Sequence, residues 1–192
     1  MKLLNSLEIL DRSGHDECPD LFGEILMNAQ VSEPWLRGTL TDVAAVQRAV
    51  LHALELAGED LHRWCDSLTD EEVNRAHGKI ASVAFQLRHI VGSIDRLLTY
   101  AEEKQLSAEQ LEYLKAEDQQ GGNTATLMAM LDRSLAEAAG RIRAFSPTEL
   151  ESPRVVGKKQ LPATLGGLLV HVADHTQRHV GQAIVTAKLA RG

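Results

Sequence analysis

From Thr39 onward apolar residues recur every three or four positions, beginning with Val43, Val46, Val50, Leu54, Ala57, Leu61, Trp64 and Leu68. That spacing lines one face of an α-helix, and it predicts a long helix over roughly 40–67. Thr69-Asp70-Glu71-Glu72 has the form of a capping box and predicts a short helix to follow. A second long helix is expected over roughly 79–104, with Ile80, Val83, Leu87, Ile90, Val91, Ile94, Leu97, Leu98 and Ala101 facing inward. Ser107-Ala108-Glu109-Gln110 is another capping box and opens a short connecting helix. Gly121-Gly122-Asn123 breaks the chain and caps a third long helix, roughly 124–145, with Leu127, Leu131, Leu135, Ala138, Ile142 and Phe145 inward. Ser146-Pro147 ends it, because proline suits only the first turn of a helix. Residues 150–162, with Pro153, Gly157 and Pro162, read as a loop with extended pieces at Val155–Val156, and a fourth long helix runs from about 163 to 189.

Four long amphipathic helices around one core make an all-α four-helix bundle with short connecting helices. Residues 1–35 depart from this pattern. The stretch Asp11-Arg12-Ser13-Gly14-His15-Asp16-Glu17-Cys18-Pro19-Asp20 is polar and rich in turn formers. It is expected to be an N-terminal arm, packed on the domain or partly mobile, ahead of a bundle domain spanning 36–192.

Composition narrows the function. Leu and Ala dominate and aromatics are few, which favours helix over sheet. The net charge of −7, with no basic run beyond Lys158-Lys159, argues against nucleic-acid binding, which needs a cationic face to displace phosphate counterions. No apolar run approaches a membrane span, and Met1–Glu8 lacks the apolar core of a signal peptide, so a cytoplasmic location without membrane contact is expected. The two cysteines, Cys18 and Cys65, form neither a CxxC pair nor a disulfide framework. Cys65 falls on the apolar side of the first helix near Trp64, where a buried thiol is normally inert.

The chemistry concentrates in the last helix, where His171, His175 and His179 follow one another at intervals of four. Two histidines so spaced share a helix face and can grip one metal ion. On a wheel centred on Leu169, Val172, Thr176 and Ala183, His179 lies about 45° from the middle of the buried face, His175 about 85° and His171 about 125°. The inner pair is therefore His175 and His179, with His171 at the rim. Val172 and Thr176 follow His171 and His175, so the glutamate of an HExxH protease is missing. Asp174 points away from the core. A further ligand must come from another helix, and His52, His62, His77 and His89 are the candidates. By the wheel, His89 sits opposite the Leu87–Ile94 face, on a second stripe with Phe85 and Gly92, where the small Gly92 and Ser93 leave room.

These residues resemble the DinB superfamily of bacterial four-helix bundles, over roughly 36–189. The resemblance rests on Leu87-Arg88-His89-Ile90 and on His175-xxx-His179 followed by Val180-Gly181-Gln182. It implies a divalent metal, Zn²⁺ or Ni²⁺, held by His89, His175 and His179. It also implies one of several activities, among them metal-dependent hydrolysis and transfer of low-molecular-weight thiols. Two functions are then in competition. One is an enzyme whose metal activates water or a small thiol against a small-molecule substrate, with the thiol external rather than a protein cysteine. The other is a non-catalytic, metal-stabilised bundle acting as a homodimeric binding or structural protein. A homodimer is expected in either case. No general base stands out, and Asp95 and Glu102 receive no role.

Overall fold

A computed structural model describes residues 32–192 apart from Gln120. The expected arm, with Cys18, lies almost entirely outside the described residues. Six α-helices follow in order: α1 (Ala45–Cys65), α2 (Asp70–Asn74), α3 (Val83–Ala101), α4 (Ala108–Ala116), α5 (Thr124–Ala144) and α6 (Leu165–Arg191). Five of them start at a side chain that satisfies a free backbone amide. Thr69 and Ser107 form the two capping boxes, and Ser82, Asn123 and Thr164 accept from Phe85 N, Thr126 N and Gly167 N.

The boundaries differ from the periodicity where local backbone overrides it. α1 begins at Ala45 rather than near 40, because Leu40 adopts φ of +57° and Ala44 is extended. Val43 still packs on the core from the preceding turn. α3 begins at Val83 because His77 and Ile80 pair with each other in an isolated bridge just before it. Ile80 is consequently 45% exposed and not on the inward face. The expected 150–162 loop is largely an antiparallel hairpin of β1 (Pro153–Val156) and β2 (Leu161–Thr164), in register Pro153↔Thr164 through Val156↔Leu161. Strands of four residues are too short to show a period, and both carry a proline, which a two-stranded ribbon tolerates at its edges. The buried Arg154 fastens the hairpin to the bundle by donating Nε–H to the Ala101 carbonyl at 2.7 Å.

The long helices pack in the cyclic order α1–α6–α3–α5. Hydrogen bonds between them give their directions. Ala53 meets Gln177 and Trp64 meets Arg191, so α1 and α6 run parallel. His89 meets His175 and Gln86 meets His179, so α3 and α6 are antiparallel. Gln47 bonds the Phe145 carbonyl and His62 bonds Asp132, making α1 and α5 antiparallel as well. These directions make α3 and α5 parallel neighbours, so the chain must return the full length of α3 before α5 can start. α4 and the described residues of 117–123 make that return. Gln110 bonds Asp95, then Tyr113 bonds the Arg88 carbonyl, then Glu117 bonds His89.

The interior is aliphatic, with Leu61, Leu87, Ile94, Leu131 and Leu169 fully buried. Each such side chain contributes about 1.5–3 kcal/mol through the water it sheds. Asp95 and Glu102 prove structural. Arg141 on α5 donates to both, at 2.7 and 2.6 Å.

A second polar tie links α1 to α5. His62 is held between Asp132 on α5 at 2.8 Å and Asp66, one turn ahead, at 3.0 Å. The Asp132 hydrogen bond outweighs partial burial and, with Asp66, raises the His62 pKa above its ordinary value. A raised imidazole pKa contributes stability that is full below the unfolded-state value and is lost as pH rises through the folded-state value. Asp132→Asn should therefore lower the denaturation midpoint at about pH 5.5 and leave it near wild type at about pH 8.5. Equal deficits at the two pH values would rule out the clip.

Candidate metal centre

His175 and His179 project from one edge of α6 because four residues advance a helix by little more than one turn. They meet His89 across the α3–α6 seam. The ring centroids of His89 and His179 lie 4.3 Å apart, those of His175 and His179 4.6 Å, and those of His89 and His175 5.2 Å. One nitrogen from each ring falls within 4.8 Å of the other two. His89 Nε2 and His175 Nε2 are 3.1 Å apart. Three imidazoles on one tetrahedral ion at ordinary Zn–N lengths place their nitrogens about 3.3 Å from one another. The donor set and its spacing thus suit a divalent transition metal.

The outer nitrogens of two rings are already taken. His89 Nδ1 lies 2.8 Å from Glu117 Oε2, and His179 Nδ1 lies 2.7 Å from Gln86 Oε1. An acceptor at Nδ1 keeps the proton there and leaves Nε2 bare for coordination. Both supporting side chains are buried, Gln86 at 2% and Glu117 at 3% exposure. Neither was singled out in the sequence. A hydrophobic period cannot mark Gln86, and Glu117 lies just beyond the end of α4, remote in sequence from every histidine.

Glu117 is held as firmly as it holds. Arg96, itself buried on α3, donates to its other oxygen at 2.5 Å. Burial pushes the Glu117 carboxyl up, but the bonds from His89 and Arg96 prevail and hold it below the usual carboxylate range. Arg88 fixes the backbone behind it, donating to the carbonyls of Glu117 at 3.0 Å, Gly121 at 2.8 Å and Gln119. Tyr113 donates its hydroxyl to the Arg88 carbonyl at 3.2 Å, and burial, with the Glu117 charge, pushes the phenol up to about 12. Gly92 leaves space for this assembly. A Cβ there would fall less than 3.0 Å from the Glu117 carboxylate, the Arg96 guanidinium and the Tyr113 ring.

Among the described residues, His171 sits at the edge of the cluster with its ring 5.4 Å from that of His175, and the other histidines lie elsewhere. His171 is exposed at the rim, with Nδ1 3.8 Å from Asp174, while Asp174 is exposed and bonds Arg178. His52 bonds Thr39, His62 serves the α1–α5 tie, and His77 pairs with Ile80 before α3. Cys65 is fully buried, and burial pushes its thiol up to about 12, which makes it unreactive. Cys18 lies outside the described residues. The wheel placed His89 off the main face correctly. That second stripe meets α4 and α6, and Phe85 stacks on His89 at 5.6 Å with planes 10° apart.

The DinB superfamily model matches residues 53–183. Among solved structures, a conserved protein from Enterococcus faecalis shares 20% identity over 78% of this chain and 99% of its own, with a TM-score of 0.64. A DinB-like protein from Bacillus cereus shares 16% over 73% of this chain and 90% of its own, with a TM-score of 0.58. A Streptococcus pneumoniae protein shares 16% over 76% and 90%, with a TM-score of 0.57. At these identities the likeness establishes the fold. No curated protein matches the chain.

Burial first, and then the neighbouring His89 and His175, push His179 down to about 4, while burial and His89 lower His175. Both rings are therefore neutral and able to coordinate at neutral pH. A lowered imidazole pKa makes the folded state resist protonation. Its stability contribution is full above the unfolded value near 6.5 and is lost as pH falls toward 4. Imidazole NMR of the metal-free protein should place the His179 titration near 4. Titration at the ordinary value would mean that the ring is not buried against its two neighbours.

Proposed function

The chain belongs to the DinB superfamily, and on that premise we propose that it is a metal-dependent enzyme of the hydrolase or thiol-transferase kind. In this reading His89, His175 and His179 hold one Zn²⁺ or Ni²⁺ ion. The observation that carries it is the convergence of three imidazole nitrogens whose outer partners, Glu117 and Gln86, are already in place. When bound, such an ion supplies Lewis acidity, making a ligated water or small thiol nucleophilic near neutral pH.

The protein's own residues orient and insulate. Glu117 and Gln86 set the ring planes and tautomers, and Glu117 makes His89 the more basic ligand by drawing on its N–H. Phe85 screens one face of His89 from water. All three histidines remain partly exposed, so a small molecule can reach them. That openness favours catalysis over a sealed structural site. A nucleophilic thiol would be external, since Cys65 is buried. A cytoplasmic location belongs to the same reading, supported by the finding that no described helix is long and apolar enough to cross a membrane.

Elemental analysis of untagged protein reconstituted with Zn²⁺ or Ni²⁺ should find one ion per chain. His179→Ala should lose most of it and His171→Ala should retain it. Glu117→Gln should weaken Zn²⁺ affinity by about 10–100-fold in competition with a chelator, because it removes the anionic partner of a ligand. No stoichiometric metal in the wild type, or full metal in His179→Ala, would falsify the site. Replacing Cys18 and Cys65 together with Ser should leave metal-dependent turnover intact.

A further inference from the structure

A groove of about 670 Å³ lies between the start of α3 and the later half of α6. This volume is in the range of small-molecule sites. It abuts the histidine cluster through two side chains that serve both. Gln86 lines the groove and accepts from His179, and Phe85 lines it and stacks on His89. Among the described residues, the charged side chains on its walls are Lys79 and Arg178. In a chain of net charge −7, a groove with cationic walls runs against the average. Arg178 gives one Nη2 to Asp174 at 2.6 Å, on the preceding turn, which offsets part of its charge but engages one of its five donors. The N-terminus of the 19-residue α3 adds positive potential at the same place. Apart from Gln86 and Gln182 the other walls are apolar, with Ile80 45% and Val185 54% exposed.

Gly181 adds a point about shape. It faces the groove from mid-helix, where glycine is about 1 kcal/mol worse than alanine. Yet a Cβ there would meet nothing within 4 Å, so no packing within the described residues requires the glycine. Contrast Gly92, where the protein's own atoms fill the space.

We propose that this groove binds the substrate, and that the substrate is a small organic anion with an apolar body. Its anionic group sits on Lys79 and Arg178, and its hydrocarbon lies along Ile80, Phe85 and Val185, beside the histidines. The assignment of substrate to the groove rests on the metal-enzyme reading above. The binding itself requires no metal.

The two are separated by titrating metal-free and Zn²⁺-reconstituted protein with hexanoate and with hexanol, reading backbone amide NMR shifts and measuring metal content on the same samples. Hexanoate should move the Gly181, Gln182 and Val185 amides to saturation. Hexanol, and hexanoate on the Lys79→Ala/Arg178→Ala variant, should bind about tenfold or more weakly, as expected for loss of charged hydrogen bonds. Gly181→Leu, whose Cβ would meet nothing within 4 Å and whose branches would occupy the groove, should abolish hexanoate binding. Equal binding of hexanol and hexanoate, or no loss in the double variant, would overturn the anion assignment. Shifts confined to other residues, or a dimer that Gly181→Leu converts to monomer, would overturn the groove as the substrate site. Hexanoate binding in protein that takes up no metal would sustain the groove's anion chemistry and defeat only the metal reading.

Discussion

A carboxylate removed from water must be matched by donors, or it shifts its proton or unfolds its surroundings. Glu117, 3% exposed, is matched by Arg96 on one oxygen and His89 on the other. Much of the site depends on this arrangement. It places an anion behind one of the three converging imidazoles and fixes that ring's tautomer. It also binds the end of the α3–α5 connection to α3. Leaving either charge unpaired would cost about 3–5 kcal/mol, more than any single apolar contact nearby contributes. The arrangement exists only because Gly92 has no side chain, and because Arg88 gathers three carbonyls of the returning loop.

The helix directions explain why such a loop is present. α3 and α5 run the same way, so the connection between them must travel back along α3, and it passes over the middle turns that carry His89. An up-down-up-down bundle with short loops would have left His89 facing solvent on that side. Instead the return supplies Tyr113 and Glu117 to one flank of the stripe, and α6 supplies His175 and His179 to the other. Polar groups on α3 are thus used twice. Asp95 and Glu102 anchor α5 through Arg141, and Gln86 and His89 organise the cluster toward α6. The rest of the helix is an aliphatic stripe that holds these positions to the core.

The number, order and approximate limits of the long helices could be read from periodicity, because a 3.6-residue repeat of Leu, Ile, Val and Ala has one economical folded solution. Capping chemistry is local too, so Thr69, Ser107 and Asn123 announced their helices correctly. His175 and His179 could be ranked above His171 by the wheel alone, since their angle to the buried face depends only on helix geometry. His89 was different. Four histidines outside α6 were open by residue reasoning, and only the resemblance selected one. Its contact with the pair depends on which helices are neighbours and how they slide, which no single helix encodes. The hairpin at 153–164 was legible only as an extended piece at Val155–Val156, because four-residue strands carry too few positions to establish a period. Glu117, Gln86 and Arg96 were invisible for a related reason. A buried polar residue is stable only through partners distant in sequence, so its role comes into being with the tertiary fold.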